Sequence, residues 1–279
     1  MPNTYSPLRY PGGKTKLAKS LKKIIDCNNL NGYTYIEPFA GGAGVALALL
    51  FDNYVSNIVI NDLDKSIYSL WYCILNYTEE FCAKIQTVDV CMDEWYLQKE
   101  VQQNKSKSTI FDLGFSTFFL NRTNRSGIIK AGVIGGKNQQ GNYKMDCRFN
   151  KASLVDKIKL IATYKEKITL YNLDTEEIIK TILPQYDSNT FIYFDPPYYI
   201  KGPKLYENYY KNEDHKNLAH LIKQDKAHSW VITYDNTKEI ISTYREYRKL
   251  TYNINYSAST KKSGSEVMIF SDKLTIPPL

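Results

Sequence analysis

Residues 191–198 read FIYFDPPY: a strand-forming run that stops on an acid, two prolines and an aromatic ring. A plain strand end needs none of these, since Gly, Asn or Ser would turn the chain as well. The two prolines fix their own φ, remove two backbone donors and restrict the residue before each of them. The carbonyls of Asp195 and Pro196 are therefore not drawn into local bonds through Pro196 or Pro197. An amino group arriving here meets acceptors only. Two acceptors aimed at one NH2 hold it and localise its lone pair, and the Tyr198 ring offers a face to the flat group that bears it. A planar amine reacts poorly until it is so placed, which makes placement a large part of the catalysis.

Two further stretches put chemistry where a strand gives way to a helix. EPFAGGAG at 37–44 sets an acid and three glycines in such a turn, letting a ligand approach the backbone and leaving amides free at the helix start. Tight packing of the turn is the alternative reading. NDLD at 61–64 places carboxylates after the next strand, where a nucleoside on the glycine turn would present its ribose hydroxyls. Asp62 is the candidate for that bond, and capping of the following helix is the other role open to these residues.

The elements that must carry these turns are legible from periodicity. Leu17, Leu21, Ile24 and Ile25 recur at helical spacing in a helix over 14–25. YTYIE and NIVIN are short strands, each followed by a turn and a helix, which argues for a parallel sheet. Alternation returns after residue 150 with ITLYNLD, a helix near 176–182, FIYF, a helix through 214–222, SWVITY, another helix, and final strands near 249–255 and 267–271. This predicts an α/β fold with a sheet of about seven strands, helices on both faces and antiparallel strands at the end. The stretch 76–150 breaks the alternation, with helical patches around Trp95 and 111–120 and a loop rich in Gly, Asn and Arg. It reads as an inserted, mainly helical subdomain, flanked by a catalytic domain made of 1–75 and 151–279.

LRYPGGKTKL, IEPFAGGAG, NDLD and FDPPYY, in that order and across nearly the whole chain, resemble the motifs of the Dam-like DNA adenine methyltransferases. The resemblance implies a Rossmann-like methyltransferase sheet, S-adenosylmethionine as cofactor, no metal, and double-stranded DNA as partner, with a cognate restriction endonuclease as a second candidate partner. Residue by residue it implies that Tyr10, Lys14, Glu37, Phe39, Gly41, Gly44 and Asp62 contact the cofactor. Asp195 does so as well, and forms the catalytic loop with Pro196, Pro197 and Tyr198. Tyr10-Pro11 stands where the family commonly has Trp-Ala. The implied reaction is attack of the adenine 6-amino nitrogen on the sulfonium methyl, with the base rotated out of the duplex. The stretch 200–210 is then a candidate cover for the extruded nucleotide through Tyr206, Tyr209 or Tyr210, with ordinary packing of these rings as the alternative.

Target recognition falls to the loop 118–150, because Arg and Asn pair bidentately with guanine and adenine edges. Asn121, Arg122, Asn124 and Arg125 are the candidates for DNA contact, with phosphate contact or internal bracing as the alternatives for each. The Phe-Asn-x-Pro segment of relatives that read GATC is absent, so that target is not implied. Lys130, Lys137, Lys144, Lys151, Lys157 and Lys159 suit a backbone track or a solvated face. His215, His220 and His228 form no ligand cluster and read as surface or helix residues.

Bulk properties bound the rest. The 279 residues, 43% hydrophobic and 23% charged, are those of a globular chain with a sizeable core. A formal charge of +7 beside 24 tyrosines suits phosphates and stacked bases, although an A+T-rich genome gives the same usage. Five cysteines without a C-x-x-C pair indicate neither a disulfide framework nor a thiolate zinc site. No leader or membrane-length apolar run is present, which predicts the reducing cytoplasm of a prokaryotic or phage-infected cell. The glycine spacing lacks a hydride-transfer fingerprint. An RNA adenine methyltransferase and a DNA-binding module without turnover are the competing readings.

Overall fold

The computed structural model describes residues 4–9, 17–199, 210–256 and 262–278. The chain divides into two compact units, one of Lys14–Leu63 with Tyr171–Leu279 and the other of Met1–Gly13 with Asp64–Leu170.

The first unit holds most of the sheet. Its strands are β1 (Thr34–Glu37), β2 (Asn57–Asn61), β4 (Thr190–Phe194), β5 (Ser229–Asp235), β6 (Arg248–Tyr256) and β7 (Lys262–Phe270), while β3 (Ile168–Tyr171) spans the division. The order is β3-β2-β1-β4-β5-β7-β6. β1 pairs in parallel with β2 and β4, and β4 with β5, whereas β7 runs antiparallel to β5 and β6. The expected seven strands and the antiparallel end are both present. Every residue of β4 and β5 is buried, as a parallel strand covered on both faces requires. Leu218, Ala219 and Ile222 from the helix Asn212–Gln224 share a core with Ile192, Phe194, Trp230 and Ile232.

Two helices of this unit follow from composition. α1 (Ala18–Cys27) is amphipathic and buries Leu21, Ile24 and Ile25, matching the expected spacing. α2 (Gly44–Phe51) is apolar on all sides and buries six of its eight residues.

The second unit is helical: α3 (Lys65–Asn76), α4 (Thr78–Thr87), α5 (Met92–Gln103), α6 (Ile110–Thr123) and α7 (Lys151–Ala162). α3 packs on α6, and α7 on α4. Phe81, Phe115, Phe118, Phe119 and Phe149 supply aromatic packing between the elements, with ring centroids 5.5–6.2 Å apart. The expected boundaries at 75 and 151 thus fall at helices whose apolar faces are buried inside this unit, which extends over 64–170 and takes in the N-terminal residues. Among the described residues no helix is long and apolar enough to cross a membrane.

Candidate active site

The glycine turn after β1 is tied to the next strand. The Gly41 amide donates to Asp62 Oδ2 at 2.9 Å, and the Ala40 amide donates to the Asn61 carbonyl at 2.9 Å. Gly41 sits at φ +48°, a conformation that disfavours a side chain, and Ala43 at φ +46° opens α2. The two acids of NDLD divide the roles that the sequence left open. Asp64 caps α3 by accepting from the Ser66 amide at 2.9 Å, and Asp62 stays with the glycine turn.

Glu37 ends β1 and accepts from the Ala46 amide in the first turn of α2 at 3.2 Å. It is buried to 4% exposure. Burial first, and then the charge of Asp195, push its carboxyl well above the usual range, outweighing the Ala46 amide. Burial and the neighbouring Asp195 thus both favour the protonated form of Glu37.

Asp195 follows β4 on the same edge, and side chains of β5 and β7 hold its loop. Thr233 on β5 donates to Asp195 Oδ1 at 2.8 Å. Tyr198 donates to Glu266 Oε1 on β7 at 2.7 Å, and Tyr252 on β6 donates to Oε2 of the same carboxylate at 2.8 Å. The Tyr199 amide donates to Asp235 Oδ1 at 2.8 Å. Tyr198 is 2% exposed and Glu266 is fully buried, so the ring is fixed at its hydroxyl end. The sequence reading missed Thr233, Asp235 and Glu266. The available signal was polar residues in otherwise apolar strands, SWVITYD and EVMIF.

An aromatic group adjoins this edge. Phe39 of the glycine turn meets Tyr210 at 5.9 Å between centroids, Tyr210 meets His215 at 5.4 Å, and His215 meets Tyr199 at 5.1 Å. Burial pushes the Tyr210 phenol up and holds His215 down to about 4. His215 lies in a helix as read but is buried, and His228 departs from the surface-or-helix reading. It is buried just before β5, because Asp225 at 2.8 Å from Nδ1 and the Tyr186 carbonyl at 3.1 Å from Nε2 satisfy both ring nitrogens. Tyr10, Lys14, Tyr206 and Tyr209 lie outside the described residues.

Within the helical unit the candidate DNA residues are placed differently from one another. Asn121 is 1% exposed and bonds the Arg9 amide, the Arg9 carbonyl and the Gly127 carbonyl, each at 2.8 Å. Asn124 is fully buried, accepting from Trp95 Nε1 at 2.7 Å and donating to the carbonyls of Ile128 and Ile129. Arg122 donates to the carbonyls of Arg148 and Pro7, and burial beside Arg9 and Arg148 holds its guanidinium down to about 10. Arg125 is exposed. Of the lysine series, Lys144, Lys151 and Lys157 donate to main-chain carbonyls and Lys159 pairs with Glu79.

The chain is 24% identical over 204 residues to the type II methyltransferase M.MjaIII of Methanocaldococcus jannaschii, covering 68% of each. It is 25% identical over 254 residues to the type II methyltransferase M.CviBI of Paramecium bursaria Chlorella virus NC1A, covering 87% of this chain and 89% of that one. It is 23% identical to the modification methylase StsI of Streptococcus sanguinis, covering 96% of this chain and 42% of that one. Residues 10–258 match the model of the D12 class N6 adenine-specific DNA methyltransferases, and the chain belongs to that family.

Proposed function

We propose that this S-adenosylmethionine-dependent enzyme methylates the 6-amino nitrogen of an adenine rotated out of duplex DNA. The observation that carries the reading is the anchoring of the Asp195–Tyr199 loop by Thr233, Glu266 and Asp235 at the carboxyl edge of a parallel sheet. Asp195 and the Pro196 carbonyl accept the two hydrogens of the amine, which localises its lone pair on nitrogen. Tyr198 walls the purine site with a ring that cannot swing, and unstacking the base costs a few kcal/mol that stacking and hydrogen bonds recover.

The residues present fit the cofactor. A backbone amide turn, a partly exposed carboxylate one strand away and the Phe39 ring suit a nucleoside, and the Asp195 carboxylate suits its positive charge. Gly41, Gly44, Phe39 and Asp62 would hold it, and we extend the same role to Tyr10 and Lys14. S-adenosylmethionine supplies an electrophilic methyl group on a sulfonium. The two similar proteins named type II methyltransferases support a further reading, in which this chain protects DNA against a cognate endonuclease.

Methyl-tritiated cofactor incubated with unmethylated bacterial genomic DNA, heat-denatured DNA and total RNA tests the substrate, and single-molecule sequencing of the product gives the modified base and its context. Label on duplex DNA as N6-methyladenine is expected. Label on RNA alone overturns the proposal. Asp195→Ala is expected to abolish transfer while sinefungin, a cofactor analogue, still binds in calorimetry.

A further inference from the structure

Thr233 occupies the middle of a strand that is buried at every position, and its hydroxyl is fully buried. Such a site suits Val, which has the same shape and no group to desolvate. The hydroxyl is placed between two partners: Asp195 Oδ1 at 2.8 Å and the Tyr193 hydroxyl at 2.8 Å. A hydroxyl has one proton and two lone pairs, and a carboxylate can only accept. The Thr233 proton therefore goes to Asp195, and Tyr193 must donate to Thr233 Oγ1. Tyr193 is itself fully buried, two residues before Asp195 on β4, so both ends of the relay are held by the sheet. The register of β4 with β5, Phe194 opposite Ile232, brings the next residues, Asp195 and Thr233, side by side. Thr is stiff at χ1, which makes the donor a fixed reference.

Resting on the reading that this site methylates adenine, we propose that Thr233, backed by Tyr193, is a positioning residue that sets the plane of the Asp195 carboxylate and hence its aim at the incoming amine. A charge-assisted bond to a rigid donor holds one oxygen, so the carboxylate cannot rotate freely to follow a misplaced substrate. Misplacement on the ångström scale costs about 100-fold in rate.

The test compares wild type, Thr233→Val, Thr233→Ser and Tyr193→Phe at saturating cofactor on unmethylated bacterial genomic DNA, with sinefungin affinity measured by calorimetry for each. Thr233→Val is expected to lower kcat about 10- to 100-fold with sinefungin Kd within about twofold of wild type, and Thr233→Ser to recover most of the loss. A crystal structure of Thr233→Val should show Asp195 in a different rotamer. A Thr233→Val enzyme of wild-type kcat, a Ser variant as impaired as the Val variant, or a loss carried by sinefungin binding overturns the inference. If Thr233→Val does not fold, Tyr193→Phe decides, since it leaves the strand intact and removes only the second donor. A roughly threefold or greater fall in kcat supports the relay and an unchanged kcat ends it. Failure of the wild type to label DNA overturns the adenine reading instead, a result distinct from any variant behaving like an active wild type.

Discussion

The side-chain amide of Asn121 pairs with the main chain of Arg9 as a strand neighbour would, accepting from its N–H and donating to its C=O, both at 2.8 Å. Its NH2 also reaches the Gly127 carbonyl at 2.8 Å. Gly127 lies at φ +75°, and a Cβ there would stand 2.1 Å from the Arg9 carbonyl oxygen. Asn121→Ala leaves the buried Gly127 carbonyl and the part-buried Arg9 amide and carbonyl short of a partner and is expected to cost on the order of 3 kcal/mol, a fall of several degrees in Tm. Gly127→Ala should fall in the same range. A DNA-reading Asn121 would give the opposite pattern in a melt, an unchanged Tm with weakened DNA binding.

Arg125 and Arg122 should separate in the same way. Arg125 is exposed, so Arg125→Ala is expected to keep Tm and to weaken DNA binding, lowering the salt slope by about one if it contacts a phosphate. Arg122→Ala removes donors to the Arg148 and Pro7 carbonyls and should lower Tm instead. Fluorescence anisotropy across a salt series, paired with thermal melts, reads both.

Glu37 gives a prediction of opposite sign. Its folded pKa is raised, so its contribution to stability is fully present below the unfolded value and is lost as pH rises through the folded one. At neutral pH the unfolded chain is the form that favours releasing this proton. Glu37→Gln, a neutral isostere, is expected to raise the Tm of the cofactor-free protein at neutral pH and to lose that advantage at acidic pH. A lowered Tm at neutral pH would mean that Glu37 is ionised in the folded protein.

The two buried histidines should act in opposite pH windows. Burial holds His215 down to about 4 from 6.5, against Asp235 and Asp214, so its stabilisation is present above 6.5 and is lost as pH falls toward about 4. Asp225 raises His228, so its stabilisation is present below the unfolded value and fades as pH rises through the raised one. Melts across this range are expected to show His215→Phe flattening the acid side, below 6.5, and His228→Asn the side above 6.5.

The anchoring of Tyr198 can be tested by a single oxygen. Tyr198→Phe leaves the buried Glu266 with Tyr252 as its remaining donor of the two described tyrosines, and frees the ring at one end. A kcat reduced about tenfold with little change in sinefungin affinity is expected. Tyr198→Ala, which removes the wall itself, should lose more. Equal activity of Phe and wild type would show that the hydroxyl bond does not position the ring.

The sequence by itself determined the α/β alternation, the glycine turn at 37–44, the acids after β2 and the proline-locked loop at 195–198. Each of these is local: a strand, a turn and a helix follow one another within a dozen residues, and proline and glycine act on the backbone where they stand. Tertiary structure alone decided what holds the loop, because Thr233 and Glu266 come from 38 and 68 residues away through the register of β4, β5 and β7. It decided the fate of Asn121 and Asn124 for a different reason. A side-chain amide offers one donor and one acceptor edge that fits an adenine and a peptide group equally well. Only the folding of Arg9 and of the 124–129 turn around these side chains selects the peptide.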